Sequence, residues 1–225
     1  MLNFGIMGTG RMAVRLADLA AKGGHKVTLG SRDPHRAVQI AEQLGGTVTG
    51  GSYHDAAACN IVMPSIFIRD GAFEQLHPFA DAIAGKIVVD ILNPFNDAYD
   101  DFILPWDTSA AEELQKIWPE ARIVSTFKWP FWEAFENSDF DGGPMDIIHT
   151  GDDQLAKDVV LQGIAMALSR WRRPDTGAFY RTHDALLWSA WRTLRHAATG
   201  GMAAAWRALD GRTARCVQQN HQSVG

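Results

Sequence analysis

A short turn near the N-terminus has the residue types and the spacing of a phosphate-binding site. It reads Gly8-Thr9-Gly10-Arg11-Met12-Ala13 and lies between an apolar segment, residues 2–7, and an amphipathic run. In such a turn the first glycine allows a tight bend, the second lets the backbone approach a pyrophosphate, and a small third residue keeps helix and strand close. Free N–H groups at the helix start face the phosphates. The pattern predicts a dinucleotide site, with a purely structural glycine turn as the alternative.

A second candidate lies where the next apolar segment, residues 25–30, ends. About 20 residues after the glycines, NAD sites carry an Asp or Glu that bonds the ribose 2′-OH. Here the chain has Ser31 and Arg32, with Arg36 one helical turn further on. A carboxylate would repel a 2′-phosphate, whereas a hydroxyl and guanidinium groups would hold it. We therefore predict NADP(H), against the alternative that Ser31 caps the next helix, Arg32 lies in solvent and Asp33 binds the ribose.

The elements that must position these residues alternate between strands and helices. The predicted strands are residues 2–7, 25–30, 47–49, 59–63, 86–92, 121–126 and 145–150. Helices are predicted after the glycine turn, from Pro34, and at residues 71–84, 109–118, 152–168 and 180–195. Continuous apolar strands separated by helices indicate a parallel sheet that is covered on both faces. The predicted fold class is α/β, a Rossmann-type doubly wound, mainly parallel sheet with a small C-terminal helical extension.

Length and composition restrict the remaining possibilities. The 225 residues carry a formal net charge of −5 without a basic run, which argues against nucleic acid or an anionic membrane as partner. The two cysteines, Cys59 and Cys216, support neither a disulfide framework nor a cysteine-based zinc site, and no metal is predicted. Without an apolar run near the roughly 20 residues of a spanning helix, we expect a cytoplasmic protein.

The predicted domains follow from the same pattern. Residues 1–150 form an NADP-binding Rossmann domain, residues 151–199 form a helical part that packs on it and closes the active site, and residues 200–225 form a flexible tail. A broad apolar face with Trp188 and Trp191 indicates core or dimer packing, and a homodimer is expected. Asp152 and Asp153 open a predicted helix without a nearby His, so capping is favoured over metal binding.

Six stretches then occur in the order and spacing of a known family. They are GTGRM, LGSRDP, DAAACNIVMPSI, GKIVVDILNPF, ARIVSTFKWPFWEAF and DIIHTGDDQLAKDVV. Over residues 1–195 the chain resembles the NADPH-dependent oxidoreductases of the coenzyme F420-dependent type, which include the related nucleotide domain of ferric reductases. The resemblance implies that residues 8–12 and the Ser31-Arg32 pair bind NADP. It also implies that residues 64–66 and Asn93-Pro94 lie near the nicotinamide, with STFKWP beside the second cofactor.

The predicted cofactor contacts combine the residue pattern with this resemblance. Asn93 would bond the ribose or the carboxamide, although an Asn-Pro pair after a strand is equally typical of a turn. The full set is Gly8, Thr9, Gly10, Arg11, Met12, Ser31, Arg32, Arg36, Pro64, Ser65, Ile66, Asn93 and Pro94.

The acceptor side departs from the family pattern. Relatives often carry AFN or a His-containing version where this chain has Thr126-Phe127-Lys128, followed by the bulky Trp129, Phe131 and Trp132. A flavin or deazaflavin ring needs a flat apolar slot, which these aromatic side chains either line or fill. The predicted acceptor pocket consists of Phe127, Lys128, Trp129 and Pro130.

The choice of acceptor decides whether a proton donor is required. Hydride transfer to a flavin or deazaflavin requires mostly proximity and ring stacking. A carbonyl or imine would need a donor within reach, and the candidates are Lys128, Tyr180, His183 and Asp184. Lys128 and His183 are the predicted catalytic residues, if any are required. Lys128, a lone cation in an aromatic segment, equally suits surface snorkelling, whereas a residue in the position of His183 is more often a helix cap or a satisfied core group.

The sequence thus predicts an NADP(H)-dependent oxidoreductase that transfers a hydride between NADPH and a small flavin or F420-like deazaflavin acceptor. An NADPH-dependent imine or carbonyl reductase is one alternative. A non-catalytic NADP(H)-binding regulator, whose aromatic segment has closed the acceptor pocket, is another.

Overall fold

A computed structural model describes residues 1–99, 101–128 and 147–165. Within these ranges the strands form one sheet of seven: β1 (Asn3–Met7), β2 (Lys26–Ser31), β3 (Val48–Ser52), β4 (Ile61–Pro64), β5 (Ile87–Asp90), β6 (Arg122–Thr126) and β7 (His149–Thr150). Their order is β3-β2-β1-β4-β5-β6-β7. Strands β1 to β6 pair in parallel, and β7 pairs antiparallel with β6. The predicted Rossmann-type, mainly parallel sheet is confirmed.

Helices cover both faces of this sheet. They are α1 (Arg11–Lys22), α2 (Pro34–Leu44), α3 (Tyr53–Ala57), α4 (Ala72–Leu76), α5 (Ala80–Ile83), α6 (Ala110–Ile117) and α7 (Gln154–Ala165), with short 3-10 turns at Ile68–Asp70 and His77–Phe79. Side chains of α1, α2 and α7 join the first apolar cluster, and those of α3 to α6 join the second. Along β4 the side chains alternate between the clusters: Ile61 and Met63 enter the first and Val62 the second.

Several elements differ from their sequence-based predictions: α3 was not predicted at all, and residues 147 and 148, which were predicted within a strand, precede β7. The helix predicted over residues 71–84 is divided into α4, a 3-10 turn and α5, because Pro78 lies within it and cannot donate a backbone hydrogen bond. Strand β3 continues through two glycines that looked like its end. A Cβ at Gly50 would lie 2.3 Å from the carbonyl carbon of Ala37, so α2 packs directly on the strand there.

The C-terminal part is described as far as α7, where Ala156 and Val160 are buried in the first cluster. The domain boundary at residue 150, the closing role of residues 151–199 and the homodimer stay predictions, and Trp188 and Trp191 lie outside the described residues. None of the helices found in the described ranges is long and apolar enough to cross a membrane. The same ranges contain no group of three or more His, Cys, Asp or Glu side chains that could hold a metal ion.

Candidate functional site

The glycine turn after β1 has the geometry that a pyrophosphate site needs. Gly8 has φ +145° and donates its N–H to the carbonyl of Gly30 at 2.9 Å. A Cβ on Gly8 would lie 2.2 Å from the carbonyl oxygen of Ser65, so only glycine lets the β1 and β4 loops meet.

Gly10, the N-cap of α1, has open space in front of it. A Cβ there would meet nothing within 4 Å, and no side chain caps the helix. This is the cradle that an approaching pyrophosphate would occupy, with the first N–H groups of α1 directed at it. The chain therefore fits a dinucleotide on its own backbone geometry.

The end of β2 supports the predicted 2′-phosphate site. Asp33 is the N-cap of α2 and accepts from the His35 N–H at 3.1 Å, so the alternative in which Ser31 caps that helix is wrong. The buried Ser31 hydroxyl accepts from the Asp33 N–H at 3.1 Å and keeps its own proton to donate. Arg32 and Arg36 are exposed at the same edge.

Tyr53 is a residue at this edge that the sequence analysis missed. It opens α3 directly after Ser52, which is the register partner of Ser31 across the β2–β3 pair. Burial raises the pKa of the Tyr53 hydroxyl, and the positive charge of Arg32 acts against that shift. The phenol therefore lies within the electrostatic reach of the Arg32 guanidinium. Its position next to a strand end was the available signal.

On the other half of the sheet, the residues predicted near the nicotinamide follow β4 and β5. Pro64 ends β4 and is paired in register with Met7, the last residue before the glycine turn. Asn93 donates from Nδ2 to the Lys128 carbonyl at 3.3 Å, while its Oδ1 is buried and has no hydrogen-bond partner in the part of the chain that is described. A buried unpaired acceptor is costly. The carboxamide NH₂ of a nicotinamide is a donor that would satisfy it.

The side chain of Lys128 is buried and paired, so the surface-snorkelling alternative is wrong, while its predicted catalytic role stays a prediction. Its Nζ lies 2.8 Å from Asp90 Oδ2, and both side chains are 0% exposed. Asp90 also accepts from the Leu92 N–H and the Ser125 hydroxyl, each at 2.9 Å. Asp90 and Ser125 were missed by the sequence analysis, although a carboxylate at the end of the apolar strand IVVD was a visible signal.

Two of the four residues predicted to line the acceptor pocket lie within the described part of the chain. Phe127 is 1% exposed and packs in the first apolar cluster, and the Lys128 Nζ lies against Asp90. The acceptor pocket itself stays a prediction. Trp129, Pro130, Tyr180, His183 and Asp184 lie outside the described residues.

Arg69 joins the two loops on the nicotinamide side and was also missed. Its guanidinium lies over the rings of Phe67 and Tyr99, 4.1 and 4.6 Å from their centroids. It donates to the Tyr99 hydroxyl at 2.8 Å and the Asn96 carbonyl at 3.3 Å. The loop after β4 is thereby tied to the loop after β5, which carries Asn93.

Comparison with known proteins agrees with this geometry. Residues 3–94 match the family described as NADP oxidoreductase, coenzyme F420-dependent. The F420-dependent NADP reductase of Methanocaldococcus jannaschii is 28% identical over 183 residues, which cover 76% of this chain and 81% of that protein. The metalloreductase STEAP3 of Rattus norvegicus is 28% identical over 156 residues, covering 69% of this chain and 30% of the relative, so the chain spans under a third of that protein.

A solved structure gives the same result. The crystal structure of a proposed F420-dependent NADP reductase from Arthrobacter sp. FB24 has a TM-score of 0.76 and 25% identity, covering 88% of this chain and 95% of that chain. The resemblance stated from the sequence is confirmed, as is the class of NADP-dependent oxidoreductases.

Proposed function

Starting from an NADP-dependent oxidoreductase that resembles the coenzyme F420-dependent family, we propose that the protein transfers a hydride between NADPH and a flavin or deazaflavin acceptor. The observation that carries this choice is the burial of Lys128 against Asp90. Reduction of a carbonyl or imine needs a proton donor within reach of the substrate. Among the candidate donors, Lys128 is the one within the described residues, and its ammonium neutralises a buried carboxylate.

Loss of a proton from Lys128 would leave Asp90 charged and uncompensated in the interior, which is costly. Hydride transfer between two rings makes no such demand, because the cofactors carry the reactivity and the protein supplies proximity and orientation. When bound, NADPH supplies the hydride from its nicotinamide ring. The buried pair therefore favours a ring acceptor over a carbonyl or imine.

In this proposal the donor is held at the carboxyl ends of the strands on both halves of the sheet. The glycine turn and the start of α1 bind the pyrophosphate, and the strand end at Ser31 and Arg32 selects the 2′-phosphate. Residues 64–66 form one wall beside the nicotinamide. Asn93 accepts from its carboxamide through the unpaired Oδ1. The Arg69 hydrogen bonds to Asn96 and Tyr99 connect the loop after β4 to the loop after β5, which carries Asn93.

The test is turnover with each member of an acceptor panel: F420, FMN, riboflavin, a cyclic imine and a ketone. Turnover is monitored as the loss of NADPH absorbance. With NADPH deuterated at the transferred position, we expect the label at the ring carbon of the reduced deazaflavin. We also expect His183→Ala to leave this turnover unchanged. If only the imine or the ketone were turned over, and if His183→Ala abolished that turnover, the imine or carbonyl reductase alternative would be established. Tight NADPH binding without oxidation by any acceptor would establish the regulator.

A further inference from the structure

We propose that Tyr53 is a specificity-determining residue whose hydroxyl, together with Arg32 and Ser31, binds the 2′-phosphate of NADPH. The proposal rests on the NADP(H)-dependent function above and adds a residue that neither the motif nor the family resemblance indicates.

The sheet register brings Tyr53 and Arg32 together. Ser31 and Ser52 are partners across the parallel β2–β3 pair, so the residues that follow them leave neighbouring strands at the same edge. Neighbouring strands lie about 4.8 Å apart. The start of α3 also packs directly on the end of β2, because a Cβ at Gly30 would lie 3.2 Å from the Tyr53 Cα.

The ring of Tyr53 is fixed while its hydroxyl remains available. The ring meets Phe79 edge to face, with centroids 6.2 Å apart and planes inclined by 76°. Within residues 1–99, 101–128 and 147–165 the hydroxyl has no hydrogen-bond partner. Burial raises the pKa of Tyr53 above its ordinary value, so the phenol is protonated at neutral pH and acts as a donor.

The surrounding groups complete a donor set that suits a phosphate. Ser31 Oγ already accepts from the Asp33 N–H, which leaves its proton for a ligand. The two nearby carboxylates serve as helix caps: Asp33 accepts from the His35 N–H, and Asp55 accepts from the Ser52 N–H and hydroxyl. Two hydroxyl donors and one guanidinium therefore belong to residues at the same strand edge, and hydrogen bonds from such groups to a charged phosphate are strong.

The decisive variant is Tyr53→Phe, which keeps the ring against Phe79 and removes only the hydroxyl. Titration calorimetry with 2′,5′-ADP and 5′-ADP isolates the 2′-phosphate, because the two ligands differ in that group alone. We expect about a 10-fold or greater loss of 2′,5′-ADP affinity, with 5′-ADP affinity and the melting temperature unchanged. Tyr99→Phe, the same change on the nicotinamide side, should leave the ratio of the two affinities as in the wild type.

The outcomes separate this proposal from the function on which it rests. Equal affinities of the wild type for 2′,5′-ADP and 5′-ADP would show that the protein does not select the 2′-phosphate at all, which would overturn the NADP(H) preference as well. A wild-type preference for 2′,5′-ADP that persists in full in Tyr53→Phe would overturn the role of Tyr53 alone, as would an equal loss for both ligands. In the double variant of Tyr53→Phe and Arg32→Ala, we expect the loss of 2′,5′-ADP affinity to be smaller than the product of the two single losses, since both side chains act on one phosphate.

Discussion

At the scale of single residues, the Lys128–Asp90 pair poses the sharpest energetic question, because two opposite charges lie 2.8 Å apart with no solvent exposure. A buried ion pair gains little over an apolar pair of the same shape, since desolvation offsets the attraction. Removal of one partner is different, because it leaves a single charge in the interior. Removal of one charge should therefore destabilise the fold strongly, whereas replacement of both residues should change its stability little.

We expect Lys128→Met to lower the free energy of unfolding by about 3–5 kcal/mol, because Asp90 is left as an uncompensated charge. The double variant Asp90→Asn with Lys128→Met should recover most of this loss. Its asparagine can still accept from the Leu92 N–H, as Asp90 Oδ1 does at 2.9 Å. Urea denaturation of both variants and the wild type measures the difference. A double variant as unstable as the single one would contradict this account.

Asn93 gives a second prediction at this scale. Its buried Oδ1 has no hydrogen-bond donor among the described residues, and the nicotinamide carboxamide is the proposed donor. Asn93→Ala should therefore weaken NADPH binding by about 1–2 kcal/mol, the size of a hydrogen bond of this kind. Calorimetry with 2′,5′-ADP, which has no nicotinamide, is the control and should give the wild-type affinity. Equal losses for both ligands would instead indicate a general disturbance of the loop.

The residues that the sequence predicted differ in kind from those it missed. Gly8, Gly10 and Arg32 belong to local patterns whose spacing is visible along the chain. Asp90 meets Ser125 across 35 positions, and Arg69 meets Tyr99 across 30. Such contacts depend on which strands are neighbours and on where each loop folds back. Periodicity and spacing carry no information on either, so these partners appear only in three dimensions.

At the scale of elements, the strand–turn–helix unit makes its two glycines experimentally distinguishable. Gly8→Ala places a methyl group 2.2 Å from the Ser65 carbonyl oxygen at φ +145°, so it should destabilise the fold as well as abolish binding. Gly10→Ala meets nothing within 4 Å in the protein, and its methyl group fills only the space in front of α1.

We therefore expect Gly10→Ala to keep the wild-type melting temperature within the small range of a surface substitution while losing most NADPH affinity. Gly8→Ala should lose both. Differential scanning calorimetry and NADPH titration of the matched pair make the comparison. If Gly10→Ala bound NADPH as tightly as the wild type, the turn would not be the pyrophosphate site.

The junction between β6 and α7 is the element contact with a predicted pH dependence. Asp153 accepts from Arg122 Nε at 2.5 Å and from the Ala156 N–H at 2.9 Å, which confirms that Asp153 caps the helix. These bonds, the one from Arg122 foremost, lower the pKa of Asp153 from 3.8 to about 2. Because the folded pKa is depressed, the stabilisation is present above pH 4 and is lost as the pH falls through about 2.

Both side chains of this pair are about one third exposed, so screening reduces its contribution. We expect Asp153→Asn to lower the free energy of unfolding by about 1 kcal/mol at neutral pH. The gap between variant and wild type should shrink as the pH is lowered from 4 to 2. Urea denaturation across this range measures it, with the exposed neighbour variant Asp152→Asn as control. A gap that stays constant down to pH 2 would contradict the assigned cause.

Element boundaries show where sequence patterns lose resolution. The strands that are apolar throughout, such as β4 and β5, were located to within a few residues. Helix 71–84 and strand β3 were misjudged at Pro78 and Gly50, where a local rule competes with packing. Proline does divide the helix, whereas the glycine continues the strand, because α2 requires the space that a side chain would occupy. The conformational preference of each residue is visible in the sequence, but the element that packs against it, which decides whether a strand or helix continues, is distant along the chain.

At the scale of the whole molecule, the strand order places the nucleotide site across the two halves of the sheet. Strands β1 and β4 are neighbours, while the chain runs from β1 toward β2 and β3 and only then returns. The connections after β1 and β4 lead to helices on opposite faces of the sheet, α1 in the first apolar cluster and α4 in the second, and open α/β sheets bind ligands in the crevice at such a reversal point. The alternation of strands and helices predicted a doubly wound, mainly parallel sheet, and the rules for parallel crossovers leave few strand orders compatible with it.

A cofactor that spans this crevice should order both halves at once, and its fragments should order one half each. We expect NADPH to slow amide hydrogen exchange at residues 9–12 and 31–36 on one half, and at residues 65–66 and Asn93 on the other. By contrast, 2′,5′-ADP should protect only the first set, because it lacks the nicotinamide. Mass spectrometry of the exchanged protein reports all four segments in one experiment, with Gly10→Ala as the non-binding control. Protection by NADPH confined to the first set would mean that the nicotinamide does not reach the β4 and β5 loops, and the hydride donor would then lie elsewhere.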